Sequence, residues 1–181
     1  MDNKEKIELS LHSLLYILNQ FNDFVDFHKV FKILYFADQK HLATYGNSIS
    51  EEKYIAMNNG PVPSTAYDIL KALKGQGLAK SYQDFFSRFI EINGNYKVKA
   101  KIKADLDYFS QSEINCLNES IKENKDENFS SLTEKSHDLA WKDANRNADI
   151  DMLHIAKAGG AKPKMIEYIK DSFENQNAVF V

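Results

Sequence analysis

FHKVFKILYFADQKHLATYG, residues 27–46, is the stretch that decides how this chain folds. Wound at 100° per residue, it puts Phe27, Val30, Phe31, Leu34 and Tyr45 on one face, with Asp38 and His41 in the middle of it. The other side carries Lys29, Lys32, Gln39 and Lys40, with Phe36 alone among them. Such a helix is buried on most sides. Asp26 is placed to cap its start. Gly46 is placed to end it, because a residue without Cβ takes the left-handed conformation freely.

A carboxylate on an apolar face needs hydrogen bonds or a counter-charge, since an isolated buried ion is very costly. Asp38 therefore has two readings. Either it accepts hydrogen bonds from backbone groups or His41 and holds neighbouring segments, or it forms an acid–base pair with His41. No nucleophile or metal-ligand spacing accompanies the pair. His12, His28, His41, His137 and His154 form no HExxH pattern, and no Walker loop, GxGxxG or GxSxG occurs. No catalytic residue, cofactor or metal is expected, and the chain is not read as an enzyme.

Outward from this helix, Ile7, Leu11, Leu14, Leu15 and Leu18 share a face and predict a first helix over residues 5–20. Residues 50–58 read as extended. In Asn59-Gly60-Pro61-Val62-Pro63-Ser64 the two prolines force extended backbone before each ring. Ser64 is expected to cap a third helix, with Ala66, Ile69, Leu70 and Leu73 inward and Gly75 or Gly77 at its end. Residues 86–92 and 95–101 predict a hairpin about a type I′ turn at Asn93-Gly94.

The remainder reads as helical. Ser110 with Glu113, and Ser131 with Glu134, have capping-box spacing. A short helix near residues 151–157 ends at Gly159-Gly160, and Pro163 opens a last one. The expected fold is α+β and mainly α, a compact helical domain with a small β-hairpin or sheet, part of it winged-helix-like. It is read as one unit over residues 1–181, with a core motif at 27–75 and a helical C-terminal part at 105–181.

Composition narrows the function. The 181 residues are 43% hydrophobic, enough for a core without metal or disulfide support, and the net charge of -3 offers no broad attraction to nucleic acid or an anionic membrane. Cys116 is the only cysteine and reads as a small buried hydrophobe. Neither a secretory leader nor an apolar run of about 20 residues occurs, so a cytoplasmic location is expected.

Two blocks of residues carry a resemblance. Lys32-Ile33-Leu34-Tyr35-Phe36-Ala37-Asp38, His41-Leu42 and Tyr45-Gly46 form the first. Ile49, Tyr54-Ile55-Ala56-Met57, Gly60-Pro61-Val62-Pro63-Ser64 and Tyr67-Asp68 form the second. In order and spacing they resemble the core of the SocA-like antitoxin family, the Panacea domain, which includes phage-associated GepA-like proteins. His137 and Trp141 resemble a later element of that family, and at a spacing of four they are expected on one helix face. The resemblance implies a non-enzymatic antitoxin that neutralises a toxin encoded by an adjacent gene. It would do so by direct binding or by delivery to a ClpXP-type protease.

The residues expected to face that partner are Phe36, Tyr54, Met57, Asn59, Gly60, Pro61, Val62, Pro63 and Tyr67. Tyr35, Asp38, His41, His137 and Trp141 are expected to support them from behind, with Asp38 pinning the Gly60–Pro63 turn. Phe36 is either covered by the C-terminal helices or anchors the toxin. The rival reading is a winged-helix DNA-binding regulator, with Lys97, Lys99, Lys101 and Lys103 alternating along a wing strand. Asp68 at the start of the would-be recognition helix disfavours DNA as a partner.

Overall fold

In the computed structural model, which describes residues 3–178, the central helix is where the sequence places it. It is α2 (Phe27–Tyr45), preceded by α1 (Asn3–Leu18) and a two-residue strand β1 (Val25–Asp26). The Asp26 carboxylate accepts from His28 N–H at 2.9 Å. Gly46, at φ 87°, closes the helix by donating to Leu42 O. The chain turns back through β2 (Tyr54–Met57) and β3 (Gly60–Pro63) into α3 (Ser64–Leu73). A short α4 (Gln83–Phe86), β4 (Ile90–Asn93) and β5 (Lys97–Ala100) follow, and then α5 (Gln111–Asn124), α6 (Phe129–Ser136), α7 (Leu139–Asp143), α8 (Met152–Ala158) and α9 (Pro163–Ala178). The architecture is α+β and mainly helical, with small antiparallel sheets.

Two apolar clusters form around α2. Leucines of α1, Phe31 and Leu34 of α2, Ile69 and Leu70 of α3, Leu117 of α5, and Ile90 and Val98 of the sheet make the first. Tyr35, Phe36 and Leu42 make the second with Tyr54, Leu132, Ala140, Ile155 and Ile169. The helix is thus buried from both sides, as its sequence implies, and what changes is the assignment of residues to its faces. Lys32 and Phe36, assigned to the polar face, are 1% and 5% exposed, whereas Tyr45 is 47% exposed. Alpha-helices 6 to 9 supply a second core on the lysine-rich side, the first of the two alternatives for Phe36. The Phe36 ring lies among them under the Lys135 ammonium, 4.8 Å from its centroid.

β2 and β3 pair antiparallel with Met57 opposite Gly60, and β1, β5 and β4 form a second sheet in that order. Alpha-helix 3 leads through α4 into the β4–β5 hairpin. The hairpin turn itself differs from expectation. Asn93 pairs with Lys97, so the loop is the three residues Gly94 to Tyr96, and only Gly94 has positive φ. A type I′ turn needs two such residues.

Two caps also move. Ser64 is the first residue of α3 and makes no side-chain cap; the buried Glu52 carboxylate accepts from Thr65 N–H at 2.8 Å and Ala66 N–H at 2.9 Å instead. Helix α6 is capped by Asn128, not Ser131, while the Ser110–Glu113 box is formed. His137 and Trp141 belong to different elements, because Asp138 caps a new helix between them. Their rings nonetheless stack at 3.7 Å.

Candidate functional site

The β2–β3 hairpin sets Pro61 and Pro63, which have no N–H to give, at the non-hydrogen-bonded pairs of its ladder, in step with the bond from Ser64 N–H to Lys53 O. Buried polar side chains hold it from below. Asp38, fully buried, accepts from Ile49 N–H at 2.7 Å, Ser50 N–H at 3.0 Å, the Ser50 hydroxyl and the Tyr54 hydroxyl at 2.6 Å. Burial raises its pKa, and these four donors oppose that shift. Asp38 therefore pins the segment leading into β2, not the Gly60–Pro63 turn.

The turn has a different anchor. Lys32 Nζ donates to Pro61 O at 2.7 Å. Burial lowers its pKa to about 7. Gly60, at φ 97°, sits directly over this amine: a Cβ there would lie 2.9 Å from Lys32 Nζ and closer still to Ser136 Oγ. The position thus needs glycine twice, for conformation and for room. Glu52 completes the base, accepting from Ser10 Oγ at 2.6 Å, and its pKa is pushed up to about 7 by burial.

A third support comes from the C-terminal helices. Trp141 Nε1 donates to Met57 O at 2.9 Å, and Asp138 accepts from Tyr35 OH and from Gln39 Nε2, both at 2.8 Å. The Tyr35 hydroxyl is buried and faces this carboxylate, so its pKa is raised. His41 does not join Asp38. Its Nδ1 donates to Asn47 O at 2.7 Å and its Nε2 lies 3.2 Å from Ser112 Oγ. The acid–base pairing is not formed.

Above these anchors lies a cleft of about 650 Å³ between the start of α2, the β2–β3 hairpin and Phe129 of α6. Its walls are aromatic. Phe31 meets Tyr67 edge-on at 6.2 Å, Phe27 lies 5.8 Å from Tyr96, and the His28 ring stacks on Phe129 at 4.0 Å. His28 Nε2 lies 3.3 Å from Asn59 O and 3.2 Å from Thr133 Oγ1. Burial, reinforced by nearby Lys32, lowers its pKa to about 4, so the ring is uncharged at neutral pH. Lys71 and Lys74 lie over the outer rings, Lys71 4.3 Å from the Tyr67 centroid and Lys74 5.0 Å from that of Tyr96.

Of the residues expected to face a partner, Met57, Asn59, Val62 and Tyr67 line this cleft together. Phe36, Tyr54, Gly60, Pro61 and Pro63 are buried. Phe36 and Tyr54 are taken up by the second core, and in this conformation none of the five offers a partner a surface. Sequence reasoning missed Phe27, His28, Phe31, Lys32, Tyr96 and Phe129 as lining residues. The signal for Lys32 was its position four residues before Phe36 on what proves to be a second buried face; no local signal marked Tyr96 or Phe129.

The lysines of β5 do not form one basic stripe. Lys101 Nζ donates to Ser87 O at 2.9 Å, Lys99 lies over the Phe24 ring, and Lys103 falls beyond the strand end at Ala100. Among the described residues no three or more His, Cys, Asp or Glu are grouped to hold a metal ion, and no helix is long and apolar enough to cross a membrane.

The family model for antitoxin SocA-like proteins, Panacea domain, matches residues 30–142, from the buried turns of α2 to Trp141 and its neighbour. The chain belongs to this family. No curated protein and no solved structure matches it. The matched span of this SocA-like protein holds the hairpin, Asp38, Lys32 and the stacked His137–Trp141 pair, while α1 and α9 lie outside it. The family's antitoxin description points to a toxin as partner in general terms.

Proposed function

We propose that this Panacea-domain protein neutralises a protein toxin encoded by an adjacent gene by binding it directly, without catalysis of its own. The cleft between α2 and the β2–β3 hairpin carries this reading. It sets a group of aromatic rings on a base fixed by Asp38, Lys32, Glu52 and Trp141. Rings held in advance lose little freedom on binding, which is how interface anchors gain affinity. The polar groups expected of a catalyst are engaged in structure: Asp38 is enclosed by four donors, and His41 is bonded away from it.

The test is co-expression with the neighbouring gene. Relief of growth arrest, together with a stoichiometric complex on size-exclusion chromatography at unchanged toxin level, is the expected result. Loss of toxin that depends on a ClpXP-type protease would replace direct binding by delivery. A harmless neighbour, or one equally toxic with this protein present, would overturn the antitoxin reading.

A further inference from the structure

Lys32 lies at the floor of the cleft, 1% exposed, and gives one of its three N–H donors to Pro61 O. None of the ion pairs among the described residues includes it. A buried cation is ordinarily met by an anion, because a single carbonyl replaces little of the water it has lost. Asp26, the acidic residue lining the same cleft, is engaged in capping α2. His28 beside it is uncharged at neutral pH. Beside the cleft, Lys74 adds positive charge over the Phe27 and Tyr96 rings, while Lys71 is paired with Asp68 at 3.2 Å.

We propose that the cleft takes an acidic peptide segment of the partner, with one carboxylate seated on the Lys32 ammonium and its apolar neighbours against the aromatic walls; this rests on the partner-binding reading above. Charge complementarity and shape select that occupant. One cation at the bottom of an aromatic cleft matches a monoanion flanked by hydrophobic groups. A phosphate dianion or a nucleic-acid backbone calls for clustered arginines or a nest of backbone N–H groups, whereas the floor offers a single amine. A cleft of about 650 Å³ has room for a few side chains.

The experiment uses 3-phenylpropionate, its uncharged amide and phenyl phosphate as probes, followed by backbone amide shifts of the whole protein. The expected result is shifts at His28, Phe31, Asn59 and Tyr67, with the carboxylate binding about tenfold more tightly than the amide. In Lys32→Met that preference for the acid over the amide disappears. Because the wild-type comparison stands alone, misfolding of the variant does not remove the test. Equal binding of acid and amide, tighter binding of phenyl phosphate, or shifts confined to other surfaces would overturn the proposal. Co-expression separates this inference from the antitoxin reading. Neutralisation by wild type and Lys32→Met alike would sink the carboxylate site and leave the reading. Carboxylate binding without any relief of toxicity would sink the reading and with it the assignment of the segment to a toxin.

Discussion

Changing Lys32 to methionine keeps the length of the side chain and removes its amine. Burial lowers the pKa of this amine from 10.5 to about 7. At pH 7 a shift of that size makes the buried lysine cost about 4 kcal/mol, at 1.36 kcal/mol per unit. Methionine removes that cost and leaves Pro61 O without its donor, a loss of about 1–3 kcal/mol. The net expectation is a gain of about 2 kcal/mol, or about 4–8 °C in melting temperature for a chain of this size.

The sign follows from linkage. A depressed lysine contributes stability that is present above its unfolded value and is lost as pH falls through its folded value. The advantage of Lys32→Met should therefore shrink, by about 2 kcal/mol between pH 7 and pH 9. Thermal melts of both proteins across that range, followed by circular dichroism, make the comparison. A variant that melts lower than wild type at pH 7, by an amount independent of pH, would show that Lys32 is a structural pin with no buried charge to relieve. A residue that costs stability and is nonetheless placed at the floor of a cleft is what a binding role predicts.

Three further outcomes follow from the buried polar network and the second core. Asp38→Asn keeps acceptors for the two backbone N–H groups and weakens the two hydroxyl bonds, for a loss of about 2 kcal/mol, whereas Asp38→Ala strands four buried donors and should fail to fold; denaturant melts of both distinguish the cases, and a stable Asp38→Ala would refute the anchoring role. Glu52, raised from 4.5 to about 7 by burial, contributes stability that is present below its unfolded value and lost as pH rises through about 7. Glu52→Gln should therefore be most destabilising near pH 4.5 and least above pH 7, and a pH-independent gap in melting temperature would contradict this. Phe36→Ala should lower stability by about 3–5 kcal/mol, as for any large buried aromatic, and an unchanged melt would restore Phe36 as a surface anchor.

Periodicity acts over a few residues, and so do the caps of α2 and α5, and these the sequence determined, whereas the caps of α3 and α6 fell to Glu52 and Asn128. The span of α2 between Asp26 and Gly46, the Ser110–Glu113 box, the extended prolines at 61 and 63 and the family motif are all local patterns. Tertiary structure decided which faces are covered and which partners are met. The helix wheel could not show that α6 to α9 cover the lysine-rich side of α2, so Lys32 falls on its polar face and Phe36 stays open between a covered and a partner-facing role. Asp38 was correctly placed in the interior, yet its donors proved to be Ile49, Ser50 and Tyr54, while the Gly60–Pro63 turn fell to Lys32. A buried charge must find a partner, and the sequence states that need. Which group answers it depends on how segments distant in sequence pack: Tyr96 and Phe129 reach the cleft from the β4–β5 loop and α6, and no spacing along the chain encodes that meeting.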